Sequence, residues 1–202
     1  MAGGVGLTPA WLPWAAVCGL AAGGALLAPL IDPALWRWQP ELAAAQPWRS
    51  ISAAWVHWSP LHLGANLLGT ALVAALGINA GCGRRAALAW ALAWPLTHLA
   101  LLAQPGLRQY GGLSGLLHAG VAVACWQLLR GDHGRRRAIG AALAAGLLAK
   151  LLLEAPWLGP LQQVAGWDIA IAPLAHASGA AAGWLCALAC GVGKQPGRRR
   201  SA

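Results

Sequence analysis

Six stretches of the chain are almost entirely apolar, and short, more polar connections separate them. They are Trp11–Leu30, Leu61–Ile78, Ala86–Gln104, Ser114–Leu129, Ala138–Leu153 and Leu174–Gly193. A helix needs about 20 residues to cross a bilayer, and each stretch is that long or nearly so, the fourth and fifth being short. Because a helix satisfies its own backbone hydrogen bonds in lipid, the pattern predicts an all-α polytopic membrane protein with six transmembrane helices.

The composition excludes a water-soluble fold. Of the 202 residues, 58% are hydrophobic and 9% are charged, whereas soluble domains have about 45–50% apolar and about 25% charged residues. So few charges would not cover a soluble surface, and so much apolar side chain excludes intrinsic disorder. Six spans with short connections use nearly the whole length, so we expect a single membrane domain over residues 1–202 and no separate soluble domain.

Basic residues are concentrated in three segments that follow the second, fourth and sixth apolar stretches. They are Arg84 and Arg85; Arg130 and Arg135 to Arg137; and Lys194 and Arg198 to Arg200. With six spans these segments lie on one side of the membrane, which the positive-inside rule makes cytoplasmic. Both termini are therefore predicted in the cytoplasm. The net charge of +9 could also indicate nucleic-acid binding, but no basic stripe is interleaved with aromatic residues, so we expect no nucleic-acid partner.

The first external connection, from Ile31 to Val56, is the longest and carries Trp36, Trp38, Trp48 and Trp55. Tryptophan prefers the membrane interface, so this loop is predicted to lie half-submerged in the outer leaflet.

The five cysteines fall mostly inside apolar stretches and show no Cys-x-x-Cys spacing. They predict neither a disulfide framework nor a metal site. We expect no metal and no other cofactor.

Polar and ionisable side chains inside a membrane are costly and mark function by default. The candidates are His57, His62, Asn66, His98, Ser114, His118, Lys150 and His176. A lone histidine in a helix is more often a satisfied core residue, so the question is whether several converge. His62 and Asn66 share a helix face at i, i+4, and the predicted topology brings both to the depth of Ser114 and His176 at the external ends of their helices.

This set matches the requirements of acyl transfer, which are a nucleophile, a base and donors for the developing oxyanion. Ser114 could also be a simple N-cap, but glycines on both sides indicate a close backbone approach. No carboxylate is obviously placed to orient His176, because Asp168 is eight residues away. A Ser–His dyad is therefore the simpler interpretation. We interpret Lys150 and Glu154 as an intrahelical pair and assign His98 to packing or hydration.

Four short motifs appear in order and cover essentially the whole chain. They are Trp48-Arg49, His57-x4-His62-x3-Asn66, Gly112-Leu113-Ser114-Gly115 and Ala175-His176-x2-Gly179-x3-Gly183. Together they resemble the rhomboid intramembrane serine proteases. The resemblance implies a six-helix bundle that cleaves transmembrane substrates within the bilayer.

The resemblance also implies roles for individual residues. Ser114 would be the nucleophile and His176 the base. The oxyanion hole would be formed by His62, Asn66 and the backbone N–H of Ser114. His57 would be a structural partner near the site, Trp48 and Arg49 would brace the submerged loop, and the loop from Glu154 to Pro173 would be a mobile cap.

One position departs from the common rhomboid pattern. Many rhomboids carry an aromatic residue one turn after the serine, packing under the catalytic histidine, and this chain has His118. The segment from Gly112 to His118 is similar to the rhombosortase branch, which is associated with exported proteins that end in a Gly-Gly motif, one transmembrane helix and a basic cluster. His118 could instead be a second hydrogen-bond partner of His176, so it is a supporting candidate and not a catalytic one.

These observations predict a serine endopeptidase of a bacterial inner membrane whose site opens to the periplasm. Its expected partners are the lipid bilayer and transmembrane substrates, and the oligomeric state is open. The alternatives are a rhomboid protease with other single-span substrates, a non-catalytic protein that binds transmembrane clients, and a small proton-linked carrier. A carrier would be expected to show repeated halves or interrupted helices, and the sequence has no such internal repeat.

Overall fold

The computed structural model describes residues 8–132 and 134–193. Within them, six helices are longer than ten residues, and each apolar stretch lies on one of them. They are α1 (Leu12–Leu27), α2 (Pro60–Ala80), α3 (Arg84–Leu99), α4 (Ser114–Leu129), α5 (Gly134–Leu153) and α6 (Pro173–Ala189). The predicted helical class is confirmed. The termini, including Lys194 and Arg198 to Arg200, lie outside the described residues.

Within residues 8–132 and 134–193, three segments are long and apolar enough to cross a bilayer. They are Leu12–Leu30, Pro60–Ala80 and Arg84–Ala103, and each includes a long helix with or without a following 3-10 turn. Helix α4 is apolar but shorter. Large side chains such as Leu72, Leu148 and Leu185 are each more than half exposed on the outside of the bundle, which is the face that lipid covers in a membrane protein. The count of six spans stays a prediction.

Helix α4 is the centre of the bundle and packs against α2, α3, α5 and α6. Leu116, Ala119 and Val123 of this helix are fully buried. Helix α1 packs on the outside of α2 and α3 through Trp14, whose ring lies against that of Trp90 with centroids 4.4 Å apart and planes inclined by 32°. The centre is therefore a helix surrounded by protein, and its first residue is placed inside the bundle.

The first long connection is held together by the Arg49 side chain, which binds backbone carbonyls of the same connection. It contains the short helices Pro33–Trp36 and Arg49–Ser52. Arg49 is buried, and its guanidinium donates to Ala34 O at 2.8 Å and to Arg37 O at 2.7 Å. Of its tryptophans, Trp38 is fully buried and Trp48 is half exposed. The conformation of this connection therefore depends on one buried cation.

The basic residues that follow α4 lie against the C-terminal ends of α2 and α6, at one end of the bundle. Arg136, at the start of α5, donates to the carbonyl of Ala80 at the end of α2, at 2.5 Å. Arg130, after α4, lies against Gly193, after α6. The opposite end is formed by the first residues of α2, α4 and α6, and it contains the polar side chains singled out above.

Candidate active site

Ser114 is the first residue of α4, at the end of a tight glycine turn. Gly112 has φ +133°, a backbone conformation that favours glycine. A Cβ at Gly112 would lie 2.8 Å from His62 Nε2. Any larger residue would therefore fill the space between the serine turn and α2.

His176 comes from the second turn of α6, which approaches α4 very closely. A Cβ at Gly179 would meet the carbonyl oxygen of Gly115, and one at Gly183 would meet that of Ala119. A Cβ at Gly115 would lie 2.8 Å from Ala175 O. The two helices thus touch backbone to backbone, as small residues permit in membrane helices.

This close packing brings the two predicted catalytic side chains together. His176 Nε2 lies 3.0 Å from Ser114 Oγ. The imidazole is only 7% exposed. The distance is within the range for a nucleophile hydrogen-bonded to its general base.

The other imidazole nitrogen has a partner that the sequence interpretation missed. His176 Nδ1 donates to Glu154 Oε2 at 2.8 Å. The interpretation of Glu154 as a partner of Lys150 was incomplete, because the Lys150 Nζ contact, at 2.6 Å, is to the other oxygen, Oε1. The expectation that no carboxylate orients His176 is wrong for this structure, since Glu154 reaches it from the end of α5.

His118 stacks on His176 and makes no hydrogen bond to it. The ring centroids are 4.3 Å apart and the rings are tilted by 14°. His118 Nδ1 donates to the carbonyl of Ser114 at 2.6 Å. His118 therefore occupies one face of the His176 ring, one turn below the serine.

Two polar groups from α2 face the serine turn. The backbone N–H of Trp58 donates to His62 Nδ1 at 3.4 Å, so the neutral ring carries its proton on Nε2, next to Gly112. Asn66 is 5% exposed and its Nδ2 is buried with no protein partner. Unpaired buried donors are rare and need an explanation. Both groups line the same cavity as Ser114, and a Cβ at Gly112 would lie 2.8 Å from His62 Nε2 and 3.7 Å from Asn66 Nδ2.

His57 lies beside this pair and contributes to its setting. Its ring is 4.7 Å from that of His62, and its Nδ1 donates to Trp55 O at 3.0 Å. Burial lowers the pKa of His57 below its usual 6.5, so the ring is neutral at pH 7.

Two further residues named in the sequence analysis, His98 and Asp168, have their partners elsewhere. His98 is fully buried in α3 and its Nδ1 donates to Ser50 O at 2.6 Å, which joins α3 to the first connection. Asp168 accepts from Ser59 Oγ at 2.9 Å and so joins the α5–α6 connection to the start of α2.

Tyr110, the only tyrosine in the chain, is a site neighbour that the sequence interpretation did not assign. Its hydroxyl lies 3.3 Å from Ser114 Oγ and 3.3 Å from Gly112 O. Its position four residues before the serine, in the same glycine turn, was the available signal.

A cavity of about 690 Å³ lies over the serine. Residues of α2 line one side, residues of α5 line the other, and the connection after α5 covers it. Its polar side chains include His62, Asn66, Ser114, His118, Lys150 and His176. A cavity of this size, mostly apolar and with few convergent polar groups, is typical of a binding site. Among the described residues no group of three or more His, Cys, Asp or Glu side chains is arranged to hold a metal ion.

Glu154 is ionised at neutral pH. It lies just beyond the end of α5. Partial burial opposes ionisation, but hydrogen bonds and charge from His176 and Lys150 outweigh it and lower the pKa of Glu154 from its usual 4.5 to about 2. The site therefore carries a negative charge next to His176 Nδ1 at neutral pH.

A helical membrane bundle with a serine hydrogen-bonded to a histidine, and an unpaired amide donor on the same cavity, has the arrangement of an intramembrane hydrolase site. The Rhomboid domain family model matches residues 44–192, which is most of the chain and includes each of these side chains. The chain belongs to the rhomboid family, whose members are in general intramembrane serine proteases. A comparison with curated protein sequences finds no match.

Proposed function

We propose that this protein is an intramembrane serine endopeptidase in which Ser114 is the nucleophile and His176 the general base. The observation that carries the proposal is the 3.0 Å distance between His176 Nε2 and Ser114 Oγ inside a cavity that two buried donors face. Nucleophilic catalysis requires that hydrogen bond, and donors aimed at the developing charge supply the largest stabilisation.

The reaction follows the acyl-enzyme route. Ser114 Oγ attacks the scissile carbonyl carbon while its proton passes to His176 Nε2. The oxyanion accepts hydrogen bonds from His62 Nε2, Asn66 Nδ2 and the N–H of Ser114, which has no helical acceptor at the first position of α4. His176 then gives the proton to the leaving amine. Water next attacks the acyl carbonyl while its proton passes to His176 Nε2, and His176 returns that proton to Ser114 Oγ as the ester bond breaks.

The substrate class we propose is the transmembrane segment of another protein. A peptide bond in a helix is protected by its own hydrogen bonds, so the segment must unwind before Ser114 can reach it. Glycine weakens a helix by about 1 kcal/mol per residue relative to alanine, so a Gly-Gly site favours cleavage. The sequence from Gly112 to His118, with its similarity to the rhombosortase branch, favours C-terminal Gly-Gly sorting tails over other single-span substrates.

The site is proposed to open to the periplasm of a bacterial inner membrane. Support comes from Arg130 and Arg136, which lie at the bundle end opposite Ser114. Because such residues favour the cytoplasmic side, the serine end faces outward, and both termini are cytoplasmic if all six helices span.

The test is cleavage of a membrane-anchored reporter with a Gly-Gly site and a basic C-terminal cluster. Ser114→Ala and His176→Ala are each expected to reduce cleavage by at least about 10³-fold, because the pair acts as one unit. A fluorophosphonate probe is expected to label wild type and not Ser114→Ala. Ser52→Ala is the control, since it also removes a serine hydroxyl, in this case one bonded to Trp36 O at 3.0 Å.

Continued processing by Ser114→Ala would contradict the proposal. If the reporter is bound but never cut by wild type and the probe does not react, the protein is a client-binding protein and not a protease. If single-span substrates that lack Gly-Gly are cleaved at an equal rate, the protease function is supported and the preference for sorting tails is contradicted.

A further inference from the structure

We propose that Glu154 is the third member of the catalytic group, a positioning residue that holds His176 in the tautomer and orientation that Ser114 requires. This inference rests on the serine protease function proposed above. The Ser–His dyad that the sequence predicts would thereby become a Ser–His–Glu triad.

The hydrogen-bond chain carries the inference. A carboxylate can only accept, so the 2.8 Å contact of Glu154 Oε2 requires a proton on His176 Nδ1. Neutral imidazole then has its lone pair on Nε2, which lies 3.0 Å from Ser114 Oγ. This is the tautomer that can take the serine proton.

The charge of Glu154 also suits the step that follows. When the Ser114 proton moves to Nε2, His176 becomes an imidazolium, and its Nδ1 proton stays on the ring. A carboxylate at 2.8 Å stabilises that cation, and Glu154 is already ionised. Every proton is therefore accounted for, and the glutamate stays ionised throughout the step.

The backbone around Glu154 is built to hold the side chain there. Helix α5 ends at Leu153, and Ala155 adopts φ +44°, which alanine rarely accepts. Gln162 Nε2 donates to the carbonyl of Ala155 at 3.1 Å. Strained residues of this kind persist where the surroundings hold them and are concentrated at functional sites.

Other groups near His176 do not replace this role. The titratable groups facing its ring are Glu154 and Lys150 from α5, His118 from α4 and His62 from α2. Of these, only Glu154 is an anion, and His118 meets the ring by its face. Asp168 is engaged with Ser59.

The test is Glu154→Gln in the full-length protein, assayed with the Gly-Gly reporter. The amide removes the charge and can stabilise the wrong tautomer, so kcat is expected to fall by about 10²- to 10⁴-fold with little change in KM. Glu41→Gln is the matched control, because Glu41 is the only other glutamate and is exposed in the first connection. Glu154→Asp, which keeps the charge, is expected to recover part of the rate.

Three further measurements separate positioning from a structural role. Lys150→Met removes the other partner of Glu154 and is expected to cost less than about tenfold, since half-exposed ion pairs contribute little. In Glu154→Gln, the acid limb of the kcat/KM profile is expected at lower pH, because the anion that favours imidazolium is gone. The thermal unfolding midpoint at pH 7 shows whether the variant is folded.

The outcomes distinguish this inference from the function it rests on. If Glu154→Gln cleaves as fast as Glu41→Gln while Ser114→Ala is inactive, the protease is a dyad and the inference is wrong. The same holds if Lys150→Met loses as much as Glu154→Gln and the pH profile is unmoved, since the ion pair is then structural. If Ser114→Ala still cleaves, the proposed function itself fails.

Discussion

Three histidines at the cavity use their ring nitrogens differently, and their hydrogen-bond partners decide how. His176 donates through Nδ1 to a carboxylate and keeps a lone pair toward Ser114. His62 accepts at Nδ1 from a backbone N–H, so its proton points to the cavity. His118 donates to Ser114 O and presents its ring face. In the proposed mechanism, one residue type thus supplies a base, a donor and a packing surface.

The proposed oxyanion role of Asn66 has a direct test. Its Nδ2 has no protein partner, so Asn66→Ala loses a donor used only when charge develops. We expect kcat to fall by about 10²- to 10³-fold with KM nearly unchanged, as for other single oxyanion donors. Reporter cleavage and fluorophosphonate labelling measure it. Asn79→Ala is the control in the same helix, because Asn79 is exposed and bonds only Ala75 O; equal losses in both variants would contradict the role.

The low pKa of Glu154 predicts how its contribution to stability depends on pH. A carboxyl whose pKa is lowered on folding stabilises the protein above its unfolded value and loses this effect as pH falls through the folded value. With a usual pKa of 4.5 and a folded pKa of about 2, wild type is expected to be more stable than Glu154→Gln above about pH 4.5. The difference shrinks between about pH 4.5 and 2. Thermal unfolding in detergent measures it, and a difference independent of pH would contradict an ionised Glu154.

At the residue scale the sequence predicted which polar groups converge, but it missed Tyr110 beside the serine and the orientation of the Glu154 side chain. The helices that carry these groups begin at one end of the bundle, so the groups lie at one depth: Ser114, His62, Asn66 and His176. The order and bounds of the apolar stretches are enough to predict this. Glu154 ends its helix at the same depth, which was the available signal. The i, i+4 spacing from Lys150 offered a sufficient partner for the Glu154 carboxylate within its own helix. The turn at Ala155 that directs the side chain to His176 has no sequence signature.

At the scale of elements, the contact between α4 and α6 sets the distance between nucleophile and base. The G-x-x-x-G spacing of Gly179 and Gly183 predicts a close helix approach, and its partners are Gly115 and Ala119 of α4. The sequence did not identify which helix would be approached. That depends on how the whole bundle packs.

Gly179→Ala tests whether this contact sets the catalytic distance. The added methyl would meet the carbonyl of Gly115, so the helices must separate. Overpacking of this kind costs typically about 1–3 kcal/mol, and a misplacement of about 1 Å can cost about 10²-fold in rate. We expect a lower unfolding midpoint and at least tenfold slower cleavage.

Gly23→Ala in α1 is the matched control for that substitution. A Cβ at Gly23 meets nothing within 4 Å, so the change is expected to be neutral or to stabilise the helix by up to about 1 kcal/mol. Wild-type cleavage by Gly179→Ala would show that the α4–α6 contact does not determine the site geometry.

At the scale of the whole molecule, charge and chemistry lie at opposite ends. Arg136, in the basic segment after α4, donates to Ala80 O at the end of α2, whereas Ser114 and His176 lie where α4 and α6 begin, at the opposite end of the bundle. The sequence predicted this separation because it depends only on the order of apolar stretches and charges. In the proposed orientation, the attraction of arginines to the cytoplasmic side therefore also sets the side on which the proposed substrates are cut.

Cysteine accessibility in intact cells tests that orientation. The five native cysteines are first replaced by alanine, and Leu158→Cys or Asp132→Cys is then introduced at an exposed position of the serine end or the basic end. Leu158→Cys is expected to react with a membrane-impermeant maleimide in intact cells, and Asp132→Cys only after permeabilisation. Labelling of both after lysis is the control for reactivity. The reverse pattern would place the serine end in the cytoplasm, and cleavage would then occur on the side opposite to the one that the positive charges predict.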